Sequence, residues 1–144
     1  KTIEDVLKFG LDEITKKGIT PDAILYFNYQ FPFRPDNIIE TLLYDLLHKG
    51  VDSVIAGSPE YGAFWVEDGN NFKRVDEGFA SRERKTPLMQ GFAGLGCATL
   101  PRFVREGHMF GPRVGIFEII DPKYKIRITN NKDVANKKIA SLFL

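Results

Sequence analysis

Between Pro21 and Gly57 the chain changes its hydrophobic period twice. Ala23 to Phe27 is an unbroken apolar run rich in aromatics, which predicts a short buried strand. Asn28 to Pro35 then breaks the pattern with two prolines and one arginine, as a loop would. From Asp36 to Lys49 apolar residues recur at helical spacing. Ile38, Ile39, Leu42, Leu43, Leu46 and Leu47 fall on one side, and Glu40, Thr41, Asp45 and Lys49 on the other. Gly50 supplies the stop, and Val51 to Ala56 predicts a second strand. Strand, loop, helix and strand in this order make a βαβ unit with parallel strands. Ligands of such sheets gather at the carboxyl ends of strands, here the loop from Asn28 to Arg34.

Either side of this unit the pattern is shorter in range. Thr2 is placed to cap a helix reaching about Lys17, with Asp5 completing a capping box and Ile3, Val6, Leu7, Leu11 and Ile14 as its apolar face. Asp68-Gly69-Asn70-Asn71 predicts a hairpin turn joining Phe64-Trp65-Val66 to Phe72-Lys73-Arg74, within an aromatic segment at 59–80. Residues 77–87 are charged and irregular, an expected exposed loop. Met89 to Leu100 reads as a glycine-rich strand, Pro101 to Glu106 as a short helix, Val114 to Ile120 and Lys125 to Thr129 as strands. Asn130 or Asn131 would cap a last helix.

Composition narrows the classes. A chain of 144 residues fits a single domain with a sizeable core, and 43% hydrophobic and 27% charged residues are ordinary for a globular protein. Twenty basic against nineteen acidic residues, with no block of like charge, give little support to nucleic-acid binding. No apolar run approaches the length of a membrane span, and Lys1 to Gly18 lacks the apolar core of a signal peptide. Cys97 is the sole cysteine, so a reducing compartment, the cytoplasm, is expected.

Candidate chemistry is sparse. Gly91, Gly94 and Gly96 match neither a dinucleotide fingerprint nor a phosphate loop, and close packing of a strand accounts for them better. His48 and His108 have no partner at metal-ligand spacing, and both are expected to be solvated. Cys97 reads as a small core residue rather than a nucleophile. Arg82, Arg84 and Lys85 could close over an anion, although a solvated charge run is the favoured reading. Arg34, near Asn28 and Gln30 at a strand's carboxyl end, could grip a carboxylate or phosphate with two hydrogen bonds. Tying loop carbonyls together is an equally good role for it.

The residues also carry a family likeness. PDAILYFNYQFPFR, the helix at 36–49, DSVIAG, the FWVEDGNNFKR hairpin, the RERKTP loop, QGFAGLGCATL and VGIFEI follow one another in this chain. In that order they resemble blocks of the acylneuraminate cytidylyltransferases, the CMP–sugar-acid synthetases, and the chain looks like the C-terminal two-thirds of one. The resemblance implies an α/β, three-layer, Rossmann-like sheet of the nucleotide-diphospho-sugar transferase type, with helices on both faces. It implies CMP transfer from CTP to an acidic sugar of sialic type, magnesium as cofactor and a homodimer contacting through the aromatic hairpin. By position, the family's sugar-contacting glutamine falls on Asn28 and the threonine two residues later on Gln30, Pro32 and Arg34 are retained, and its Asn-Gly falls on Gln90-Gly91. The resemblance thus implies a sugar-acid site at Asn28, Gln30, Arg34, Gln90 and Gly91.

Two departures from that family stand out. Its basic, glycine-containing loop for the CTP phosphates has no counterpart in this sequence, so the chain by itself is not expected to turn over CTP. Its metal-holding carboxylates fall on Arg127-Ile128-Thr129, leaving Asp133 as the nearest acid. That segment, KIRITNNKDVA, is closer to the related cytidylyltransferase of isoprenoid synthesis. A rival expectation, of another class, is a non-catalytic binding or dimerisation module on the same fold.

Overall fold

A computed structural model describes residues 1–76 and 85–129. The expected last helix, Asp133, Arg82 and Arg84 lie outside the described residues. The chain forms two compact units, Lys1–Gly57 with Gly91–Leu144, and Ser58–Gln90.

The first unit opens with helix α1, Ile3–Lys16. Its capping box is formed: the Asp5 amide donates to Thr2 Oγ1 at 3.2 Å, and the Thr2 amide donates to Asp5 Oδ2 at 2.9 Å. Leu11 is buried, but Ile3 and Val6, expected on the apolar face, are 43% and 58% exposed. The physical reason is that α1 packs on α3, Pro101–Arg105, which is too short to cover the whole stripe.

Strand β1, Ile24–Tyr26, is followed by α2, Ile38–His48, and β2, Ser53–Glu60. β1 and β2 do not touch. Strand β6, Cys97–Thr99, lies between them and runs antiparallel to both, so β1 and β2 point the same way, as a βαβ unit requires. β7, Val114–Glu118, joins β2 in parallel, pairing Ser53 with Val114 and Gly57 with Glu118. β1 ends the strand order among the described residues and is half-buried, not buried as expected.

α2 covers β6 and β7. Its buried positions are Ile38, Leu42, Asp45 and Leu46, a stripe at i, i+4, i+7 and i+8. Ile39 and Leu47 therefore fall outside the buried face, and Asp45 falls within it. Lys49 reaches Asp45 at 2.7 Å and satisfies the carboxylate. The core joins Ile38, Leu42 and Leu46 to Val54, Ala56, Leu95, Ala98, Ile119 and the loop residue Phe31.

Two expected strands differ. Met89 to Leu100 is not continuous: β5, Leu88–Gly91, gives way to a turn in which the Leu95 and Gly96 amides donate to the Phe92 carbonyl, and β6 follows. The cause is steric, because the turn sits under the 28–34 loop and α2. A Cβ on Gly94 would come within 2.9 Å of Asn28 Cβ, and one on Gly96 within 2.7 Å of Ile38 Cδ1. Close packing is thus the role of these glycines. Lys125 to Thr129 is not a strand either. Asp121 caps a 3₁₀ turn, Pro122–Lys125, and the chain leaves it extended, with the Ile128 amide donating to the Gln30 carbonyl at 2.8 Å.

The second unit holds the expected hairpin. β3, Trp65–Asp68, pairs with β4, Asn71–Arg74, and Gly69 takes φ of +63° in the turn. Beyond its open end Asp76 accepts from the Phe64 amide, from Arg74 and from Lys85. Lys85 is 8% exposed and also donates to the Gly62 carbonyl at 2.6 Å. It belongs neither to a solvated charge run nor to a lid over an anion, because Asp76 and the loop carbonyls use it to close the hairpin's base.

Candidate functional site

The loop at the carboxyl end of β1 is held from both sides. The Asn28 amide donates to the Gly94 carbonyl at 2.7 Å, and the Phe31 amide donates back to the Asn28 carbonyl. Asn28 Oδ1 accepts from the Gln30 amide at 2.9 Å, an Asx turn that presents Tyr29 to solvent. Phe31 anchors the loop in the core, edge-on to Phe92. Loop and turn therefore form one rigid corner.

Arg34 lies across that corner. Its Nε donates to the Leu95 carbonyl at 3.2 Å, and Nη2 donates to the carbonyls of Asn28 and Gly94. The guanidinium also sits 5.5 Å from the centre of the Phe27 ring. Burial pushes its pKa below the usual arginine value. The carbonyl-tying role is the one this geometry displays. Nη1 makes no hydrogen bond to the described residues.

Gln30 has a partner that motif matching did not pair with it. Arg127 donates to Gln30 Oε1 through Nε at 3.0 Å and Nη2 at 2.7 Å. Together with the Ile128 amide bond, this lays the 126–129 segment along the loop. The structure thus brings Asn28, Gln30, Arg34 and Arg127 to one corner of the first unit. Gly91 lies in that unit, where a Cβ would meet Ile55 Cδ1 at 2.9 Å. Gln90 lies in the second unit, where it lines a cavity of about 430 Å³ with Glu60, Phe64, Leu88 and Met89. The signal available in the sequence was weak: an arginine at 127, in a segment expected to be a strand.

Other titratable groups serve packing. Cys97 is buried, and burial pushes its thiol up to about 12, so it is no nucleophile. His48 stacks on Tyr44 with ring centres 4.2 Å apart, and both His48 and His108 are exposed. Asp52 is buried at the start of β2, where Arg113 and Arg102 both donate to it. The Arg113 hydrogen bonds, with help from Arg102, hold its pKa down to about 2. Asp133, the acid expected nearest to magnesium, lies outside the described residues. Positions 127–129 offer no carboxylate, Arg127 brings a cation of its own, and no group of three His, Cys, Asp or Glu side chains among them could hold a metal. No helix among the described residues is long and apolar enough to cross a membrane.

No family model matches the sequence, and no curated protein matches it. Among solved structures it is similar to a 4-diphosphocytidyl-2C-methyl-D-erythritol synthase from Anaerococcus prevotii DSM 20548. The TM-score is 0.63 and the identity 14%, over 99% of this chain and 66% of that one. The chain therefore spans just under two thirds of that protein's length, and what it shares with it is a fold: a mixed α/β sheet of the nucleotidyltransferase type.

Proposed function

We propose that this chain belongs to a cytidylyltransferase-like protein that transfers CMP from CTP to an acidic sugar of sialic type, as part of a longer enzyme or as a degenerate relative. The observation that carries this reading is the rigid corner at the carboxyl end of β1, where Asn28, Gln30, Arg34 and Arg127 are hydrogen-bonded into one unit on a nucleotidyltransferase fold. A corner fixed before binding holds a ligand with little further ordering cost. In the reaction a sugar hydroxyl attacks the α-phosphate of CTP and pyrophosphate leaves. The corner's part is to bind the sugar acid and orient it for in-line attack. No step is assigned to magnesium. The test is pyrophosphate release with CTP and a panel of sialic-type acids, paired with NMR titration of each substrate. Sugar-acid shifts mapping to residues 28–34 support the reading, and shifts elsewhere oppose it.

A second reading has its own observation. Trp65 and Phe72 on the hairpin are 54% and 68% exposed, more apolar surface than a solvated ribbon needs. A non-catalytic module that pairs with a second copy of itself through this hairpin would use them. A homodimer is compatible with both readings. A dimer that binds neither CTP nor any sugar acid would favour the module.

A further inference from the structure

Gln30 Oε1 takes two hydrogen bonds from one guanidinium, which occupies both acceptor positions of that oxygen. The amide's remaining polar atom is then Nε2, a pair of donors, with its orientation set by Arg127. Arg127 keeps Nη1 clear of hydrogen bonds to the described residues and stays exposed. An arginine held at a fixed angle by a neutral amide keeps its full charge, which a carboxylate partner would have cancelled. Among the described residues, the edge formed by Gln30 and Arg127 therefore presents donors and a positive charge that no carboxylate pairs.

We infer that Gln30 and Arg127 act as one oxyanion-binding pair, with Arg127 both contacting the anion and positioning the Gln30 amide. The chemistry recognised is a carboxylate or phosphate oxygen. This rests on the reading above only in naming a sugar acid's carboxylate as the source of that oxygen. A planar guanidinium already committed on one edge can still offer its other edge to an oxyanion, a geometry that lysine lacks.

The experiment titrates N-acetylneuraminate, its methyl ester and inorganic phosphate into the wild-type chain and into Arg127→Ala, Arg127→Lys and Gln30→Glu, following backbone and Gln30 side-chain amide resonances. Gln30→Glu is the informative variant. It keeps an acceptor for Arg127, and so the fold, while cancelling the charge. N-acetylneuraminate affinity is expected to fall at least tenfold in Arg127→Ala and Gln30→Glu and by less in Arg127→Lys, with the ester no better than the variants. Phosphate binding that depends on Arg127 without sugar-acid binding would keep the pair and remove the sugar reading. Sugar-acid binding equal in wild type and Arg127→Ala would keep that reading and overturn the pair. Wild-type protein that binds none of the anions would overturn both.

Discussion

Arg34 Nε donates to the carbonyl of Leu95, a residue 61 positions further along the chain. The same side chain takes up the Asn28 and Gly94 carbonyls, so one arginine joins the loop after β1 to the turn before β6. Removing it takes the side-chain donor from the Leu95 carbonyl and a second donor from the Asn28 and Gly94 carbonyls, which keep the Phe31 and Asn28 amides, at a cost of about 1–3 kcal/mol. Arg34→Ala is expected to lose that much stability in urea unfolding. Arg34→Lys should recover a minority of it, because a point charge cannot span the carbonyls as a planar fork does. Equal stability of all three proteins would mean that the ties contribute nothing.

Asp52 makes acid stability a second test. Its folded pKa, about 2, lies below the ordinary value of 3.8, so its ion pairs stabilise the fold fully above that value. That contribution is lost as the pH falls from about 4 through about 2. Asp76, held well below the carboxylate range by Arg74 and Lys85, acts in the same direction from about pH 4 downward and continues to still lower pH. The urea midpoint should therefore fall between pH 4 and pH 2. Asp52→Asn should be less stable at pH 7 and show a shallower decline over that window. A variant with the wild-type slope would remove Asp52 from the acid response.

The parts of this fold that were legible in the sequence are those set by local chemistry. The capping box of Thr2 and Asp5, the glycine stop at Gly50 and the Gly69 turn each depend on a few adjacent residues. What was not legible depends on what packs opposite. Spacing alone placed Ile39 and Asp45 on the wrong sides of α2, because the buried stripe is decided by β6 and β7. Lys85 looked solvated because its partners, Asp76 and the Gly62 carbonyl, are brought to it by the hairpin's fold. The Gln30–Arg127 pair spans 97 positions, and no periodicity reports a contact of that range.

Gly111 tests a packing relation with no motif behind it. A Cβ there would meet the Phe103 ring at 2.6 Å and also collide with Asp52 Cβ. The Gly111 amide donates to Ser53 Oγ at 3.0 Å, so the backbone is not free to retreat. Gly111→Ala should lose about 1–3 kcal/mol, the usual cost of overfilling a packed site. A denaturant midpoint within error of wild type would show that the 108–113 loop can shift at no cost.

The hairpin makes the last prediction. In its register Trp65 faces Arg74 and Glu67 faces Phe72, and side chains two apart share a face, so Trp65, Glu67, Phe72 and Arg74 lie together on one side. That face carries two large exposed rings beside two opposite charges. Arg74 lies 5.8 Å from the Trp65 ring centre and is paired with Asp76, which steadies the indole. Aromatics presented on a steadied surface are what the centres of protein interfaces are made of. A dimer through this face would bury both rings, and truncating such an anchor costs about 2 kcal/mol or more. Trp65→Ala and Phe72→Ala should each weaken dimerisation by roughly thirtyfold, at about 1.4 kcal/mol per tenfold. Stability of the isolated fold should change by no more than about 0.5 kcal/mol, because both side chains are already exposed. Sedimentation equilibrium of wild type and both variants, alongside urea unfolding, separates the two effects. A wild-type chain sedimenting as a monomer at tens of micromolar, or variants that associate as tightly as wild type, would remove the hairpin as the contact.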